Sequence, residues 1–196
     1  MELNFEETMK RIAQHEEEYA KKGLKRTLCR KVSYPYDVDL YKGENQIIVV
    51  PLTTSIGSFS VLMAWYRQIK DLENADIIGK TVIEALEHIG RSPVDARTRQ
   101  ERDNDSIWKN ASKYKSYKSF NKNYILCVVS LEENGKITVS PTEKLDGNNG
   151  YGGTDGETIY LNVNASSEEI GNAIKKCFAS MEETKKENWK DVTLRY

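Results

Sequence analysis

Apolar positions recur at helical spacing in several stretches of the chain. Phe5, Met9, Ile12, Ala13 and Tyr19 predict an amphipathic helix over residues 4 to 22, stopped by Gly23. Ile77, Ile78, Val82, Ala85, Leu86 and Ile89 form one stripe, so a helix is expected from Asn74, which can cap it, to about His88. Gly90 and Pro93 end that pattern. A closing helix is expected from Ser166, where Ser166 and Glu169 have the spacing of a capping box. Between these lie runs with strand character: Ile47 to Val50, ended by Pro51; "NYILCVVSLEENGKITVSPT", with Asn134-Gly135 as a hairpin turn; and the alternating "ETIYLNVN". "SIGSFSVLMAWYRQIKDL" stays open, because Val61, Leu62, Trp65 and Ile69 fit a helix while Gly57 and the serines blur its start. "SIWKNASKYKSYKSF" reads as a further helical region. The fold class expected is α+β: a mixed or antiparallel sheet around the 124 to 141 hairpin and the strands near 47 to 51 and 158 to 163, with helices packed on it.

Two of the helices repeat one another. Aligned through Ile78-Gly79 and Ile170-Gly171, which are 92 positions apart, Asn74 falls opposite Ser166, Asp76 opposite Glu168, and Val82 opposite Ile174. Ala85 then meets Cys177, and Leu86 meets Phe178. Glycine inside a helix costs about 1 kcal/mol relative to alanine, so its presence in the second turn of both segments predicts close packing against a neighbour. Two related strand-helix halves would explain the echo.

Composition narrows the class. A chain of 196 residues with 38% hydrophobic and 30% charged residues suits one folded domain. Residues 1–196 are read as a single domain, with a helical extension over 1–30 and a charged tail over 182–196. The start, MELNFEETMKRI, lacks the apolar core of a secretory signal, and no window approaches the ~20 apolar residues of a membrane span, so a cytoplasmic location is expected. Cys29, Cys127 and Cys177 form no CxxC pair and read as small buried residues. The net charge of -1 conceals segregation. Residues 32 to 96 hold 5 basic and 9 acidic side chains, residues 97 to 125 hold 8 and 3, and residues 126 to 181 hold 4 and 8.

Candidate chemistry is sparse. Of the two histidines, His15 sits on the charged side of its helix and His88 near a helix end, and neither pairs with a nucleophile. "GNNGYGGTDG" lacks the Lys-Ser/Thr and the following helix of a phosphate loop, and Asp146, Asp155 and Glu157 lack calcium-loop spacing. No catalytic residue, cofactor or metal is expected. One stretch stands out: Trp108, Tyr114, Tyr117, Phe120 and Tyr124 alternate with Lys109, Lys113, Lys115, Lys118 and Lys122, a composition that could stack bases and contact phosphates. The competing reading is an amphipathic segment whose aromatic row faces a core.

"ADIIGKTVIEALEHIGRS" and "SSEEIGNAIKKCFASM", with "YKSYKSFNKNYILCVVSLEENGKITVSPT" between them, resemble the immunity proteins of bacterial contact-dependent growth inhibition (CDI) systems over approximately residues 46 to 181. The resemblance implies a cytosolic protein that performs no chemistry and neutralises one cognate toxin, commonly a nuclease. It therefore implies a toxin C-terminal domain as partner and no membrane partner, and leaves oligomeric state open. A nucleic-acid-binding regulator using residues 108–124 is the alternative. Nuclease toxins carry basic surfaces for phosphates, so an acidic binder gains steering from complementary charge. Expected contacts are Asp146, Tyr151, Asp155 and Glu157 on the glycine-rich loop and its strand edge, with Glu132 and Glu133 at the hairpin turn as second choice.

Overall fold

The structure, a computed structural model, describes residues 35–54, 60–91, 97, 99–145, 150–154, 156–162 and 164–193. The helix expected over 4 to 22, together with His15 and Cys29, lies outside them.

Eight antiparallel strands form one sheet. In chain order they are β1 (Tyr36–Lys42), β2 (Ile47–Thr54), β3 (Ser60–Leu62), β4 (Arg67–Ile69), β5 (Ile125–Leu131), β6 (Ile137–Lys144), β7 (Tyr151–Gly153) and β8 (Ile159–Leu161). Five helices accompany them: α1 (Ala75–Arg91), α2 (Arg99–Asn104), α3 (Ile107–Asn110), α4 (Tyr117–Asn123) and α5 (Ser167–Thr193). The lateral order is β3-β2-β1-β5-β6-β7, with β4 beside β3 on the outer edge of β2 and β8 beside β7 on the outer edge of β6. Each half is therefore a hairpin, a broken outer strand and a helix.

The halves superpose in sequence with little slippage. The offset is 89 residues from β1 to β5, 90 from β2 to β6, 91 from β3 to β7, and 92 both from β4 to β8 and from α1 to α5. At the seam β1 pairs with β5, and the pair Asp39↔Val128 joins two residues that are each other's counterparts. The topology is thus two-fold about that pair, which answers why the chain states its helix motif twice.

The helices meet as the repeat requires. A methyl group added at Gly79 would fall on the carbonyl oxygen of Ser167, and one added at Gly171 on the carbonyl oxygen of Ala75. Ser167 and Ala75 are themselves counterparts, so each helix lays its glycine on the first turn of the other. Below the crossing, Ile78, Val82, Ala85 and Ile89 from α1 and Ile170, Ile174, Cys177 and Phe178 from α5 are buried with Val38, Leu40, Val49, Cys127, Val129 and Val139 of the sheet. Both caps form as expected: Ile77 N–H donates to Asn74 Oδ1 at 3.1 Å, and Glu169 N–H donates to Ser166 Oγ at 3.2 Å while Ser166 N–H donates to Glu169 Oε2 at 2.7 Å.

The opposite face is covered by the segment that joins the halves. Ile107, Ala111, Phe120 and Tyr124 pack on Tyr41, Ile48, Val50 and Leu126. Gln46 Nε2 fastens this cover by donating to Ala111 O at 2.9 Å and to the Tyr124 hydroxyl at 2.7 Å. Strands β1 and β2 are consequently buried on both sides, which hides their alternation.

Several expectations need correction. Pro51 does not end its strand: β2 continues to Thr54, because Pro51 faces the outer lane where that lane is interrupted, and its carbonyl accepts from Met63 N–H at 2.9 Å. The ambiguous segment is two short strands, β3 and β4. The region 107 to 123 is two short helices separated by a turn, and α2 precedes them. Only Ile159–Leu161 of "ETIYLNVN" is strand, and the closing helix runs to Thr193.

Candidate functional site

Tyr151, Thr154, Gly156 and Glu157 border a cleft of about 520 Å³. One wall is α5, and the other is β7 with the connection from Thr154 to β8; β6 forms the floor. It exists because the outer lane is broken between β7 and β8, opposite Pro141, a position that corresponds to Pro51 in the first half. A strand proline offers no N–H to a neighbour, so a gap costs little there.

Of the expected contact residues, Tyr151 and Glu157 lie on this cleft. Asp146 and Asp155 fall outside the described residues. Glu132 and Glu133 occupy the turn at the other end of the β5–β6 hairpin, where Gly135 takes a positive φ of 79° and its N–H donates to Glu132 O at 2.9 Å. The first four residues of β6, Ile137 to Ser140, separate that turn from Pro141 on the cleft floor by roughly 14 Å at ~3.4 Å per residue. Glu157 and the Glu132–Glu133 pair are therefore separate patches.

Tyr151 is a fixed wall rather than a free contact. Its hydroxyl donates to Tyr124 O at 3.0 Å, and its ring meets Tyr41 edge-on at 5.9 Å. Burial, with the neighbouring Tyr117 and Asp39, pushes its phenol well above the usual range, so the ring stays neutral. Glu157 and Glu143 are exposed on the rim, and Lys144, which also lines the cleft, donates from Nζ to Lys122 O at 2.8 Å. From α5 come Lys176, Cys177, Ser180 and Met181. These four were not anticipated; the repeat alignment could have found them, since it places 176 to 181 opposite 84 to 89.

Behind the cleft, on the face away from α1 and α5, Asp39 is 8% exposed. The Tyr41 hydroxyl donates to Asp39 Oδ2 at 2.9 Å. Desolvation raises the Asp39 pKa to about 7, opposed by the Tyr41 hydrogen bond and reinforced by Asp37. Asp37 is also raised, chiefly by burial, although it accepts a hydrogen bond from Ser130 Oγ. Burial likewise pushes up the Cys127 thiol, and Cys127 and Cys177 are both buried and free, as expected. Among the described residues, no group of three or more His, Cys, Asp and Glu could hold a metal ion.

The basic-aromatic stretch is an amphipathic cover. Phe120 and Tyr124 stack at 4.3 Å, Trp108 meets Tyr117 edge-on at 5.3 Å, and Tyr41 lies 5.2 Å from Phe120. Lys109, Lys113, Lys115, Lys118 and Lys122 stay exposed. The rings that could have stacked bases are engaged with one another and with the sheet.

The fold is thus an antiparallel sheet carrying two crossed helices, with a cleft between the second of them and the sheet edge. The chain belongs to the family of CDI immunity proteins (CdiI), whose model matches residues 36–180, a span that runs from β1 into α5. Among curated proteins, none matches. Two solved structures share the fold. A Neisseria meningitidis protein of unknown function superposes with a TM-score of 0.57 at 16% identity, covering 78% of this chain and 99% of the other. A chain of the Yersinia pseudotuberculosis CdiA-CT/CdiI toxin and immunity complex gives a TM-score of 0.59 at 19% identity, covering 76% of this chain and 98% of the other. Among the described residues, no helix is long and apolar enough to cross a membrane.

Proposed function

We infer that this protein is the dedicated inhibitor of one CDI toxin. It binds the toxin's C-terminal domain in the cytoplasm and covers its active site or substrate face, with no catalytic step of its own. The observation that carries this reading is the family match over the whole repeated core. The Yersinia pseudotuberculosis neighbour, a toxin and immunity complex, supports it.

The toxin that fits best is a nuclease. The segment from 126 to 181 holds 8 acidic and 4 basic side chains, and such a surface attracts a domain built to hold phosphates. The contacts are assigned to Asp146, Tyr151, Asp155 and Glu157, with Glu132 and Glu133 as a separate, second patch. Rim charges act mainly on association rate, so reversing Asp155 and Glu157 together to lysine should slow association about tenfold and flatten its salt dependence. Unchanged rates, measured by surface plasmon resonance at two ionic strengths against the toxin domain encoded beside this gene, would remove these residues from the interface. The stoichiometry is tested by adding the protein to that toxin in a nucleic-acid cleavage assay. Activity should vanish at one equivalent, and a toxin still active at tenfold excess would contradict the reading.

The packed rings of residues 108–124 leave a nucleic-acid regulator without its stacking surface. Neutralising Lys113, Lys115 and Lys118 should leave toxin inhibition unchanged.

A further inference from the structure

We propose that the cleft beside α5 is a socket for one aromatic side chain of the toxin. The proposal rests on the inhibitor reading above and adds to it what the partner inserts.

The two halves of the molecule show what such a socket holds when it is filled. In the first half the outer lane breaks between β3 and β4, and the connecting residues supply Met63 and Trp65, both packed against the core. The Trp65 indole stacks on His88 of α1, with centroids 5.2 Å apart and planes 22° apart, and the Arg67 guanidinium lies 4.4 Å from its ring. Arg67 is held there by an ion pair with Glu84 at 2.7 Å.

In the second half the same place is open. His88, which stacks on Trp65, Glu84, which holds Arg67, and the buried Ala85 and Ile89 correspond through the 92-residue offset to Ser180, Lys176, Cys177 and Met181, and all four of these line the cleft. The connection between β7 and β8 carries Gly156 and Glu157 where Trp65 would stand. Losing an indole from the loop and an imidazole from the helix leaves the space vacant without disturbing the sheet, and no aromatic ring among the described residues fills it in their place.

The lining suits a ring. Met181 and Cys177 bring sulfur, which makes favourable contacts with aromatic edges, and Lys176 occupies the helix position from which Glu84 steadies a cation beside Trp65. Tyr151 supplies a rigid wall. At the mouth the exposed Glu143 and Glu157 are balanced by Lys144 and Lys176, so the apolar space for a ring, rather than a net charge, defines what enters. A buried aromatic anchor in a pocket surrounded by polar rim contacts is the usual composition of an interface hot spot.

The test fills the socket from either wall. Ser180→Trp plugs it from α5, and Glu157→Trp restores from the loop the residue that the first half has. Glu157→Gln removes the charge without filling the space. Affinity for the toxin domain encoded beside this gene, measured by titration calorimetry, should fall at least 100-fold with each tryptophan variant and less than fivefold with Glu157→Gln. Thermal unfolding of each variant reports whether it folds. In parallel, indole added to the ¹⁵N-labelled wild-type protein should shift the amides of Gly156, Glu157 and Ser180 with a saturating dependence. This second reading stands even if both tryptophan variants fail to fold.

Wild-type affinity in both folded tryptophan variants overturns the proposal while leaving the inhibitor reading intact. Absence of indole shifts at those amides also overturns it. Loss of self-association in the plugged variants with toxin affinity unchanged would assign the cleft to a second copy instead. A wild-type protein that does not bind the toxin at all sinks the inhibitor reading itself, and this proposal with it.

Discussion

Asp39 sits at the centre of the molecule's internal symmetry and carries its least comfortable side chain. The counterpart of Asp39 is Val128, so one half places a carboxyl where the other places an isopropyl group. Its folded pKa of about 7 lies above the ordinary value of 3.8 because burial penalises the anion. The folded state therefore binds more protons than the unfolded chain between about pH 4 and 7, and stability falls as pH rises through that window. The shift amounts to on the order of 4 kcal/mol, fully lost above about pH 7. Replacing Asp39 by asparagine should raise the melting midpoint at pH 8, change it little at pH 4, and flatten the slope between. Denaturation at a series of pH values checks this, and a variant with the wild-type slope would show that the carboxyl is not the group responsible. Asp37, raised for the same reason, leaves a smaller residual slope in the same direction.

At the scale of elements, the crossing of α1 and α5 is fixed by glycine on both sides. The obstructing atom at each position is a backbone carbonyl oxygen, which cannot rotate away as a side chain would. Gly79→Ala and Gly171→Ala should each destabilise by at least about 2 kcal/mol, read by chemical denaturation, and the two costs should fall short of additive because one helix shift relieves both. Cost-free alanines would show that the helices do not touch there. Ser166→Ala should cost about 1 kcal/mol through loss of the α5 cap.

These elements also show what could be read from residues alone. The capped helices and the Asn134-Gly135 hairpin were legible because each has a local signal: a side-chain cap, a glycine at positive φ, a 3.6-residue stripe. Strand β8 was legible from the alternation in "ETIYLNVN", but the outer strands β3, β4 and β7 were not. Each is three residues long, too short for alternation to register, and each exists only because β2 or β6 offers an edge. For the site, Tyr151 and Glu157 were found from the loop's composition, but the wall from α5 was hidden in the apolar stripe of a helix. Comparing Trp65 with Gly156 and Glu157 would have exposed it. Asp39 was invisible because both faces of β1 are covered, one by a segment more than 60 residues away in sequence.

For the whole molecule, duplication and asymmetry divide the labour. The shared hairpins and crossed helices build one core; the joining segment seals the face behind the sheet; and the open lane of the second half presents a cleft. Trp65 and the glycine crossing belong to the packed core, apart from the open cleft. The most direct test of the inhibitor account is growth rescue. The toxin domain encoded beside this gene is expressed with and without this protein, and surviving cells are counted. Survival should be restored to near the uninduced level by the wild-type protein and not by an unrelated family member expressed as well. No survivors despite abundant folded protein would contradict the account.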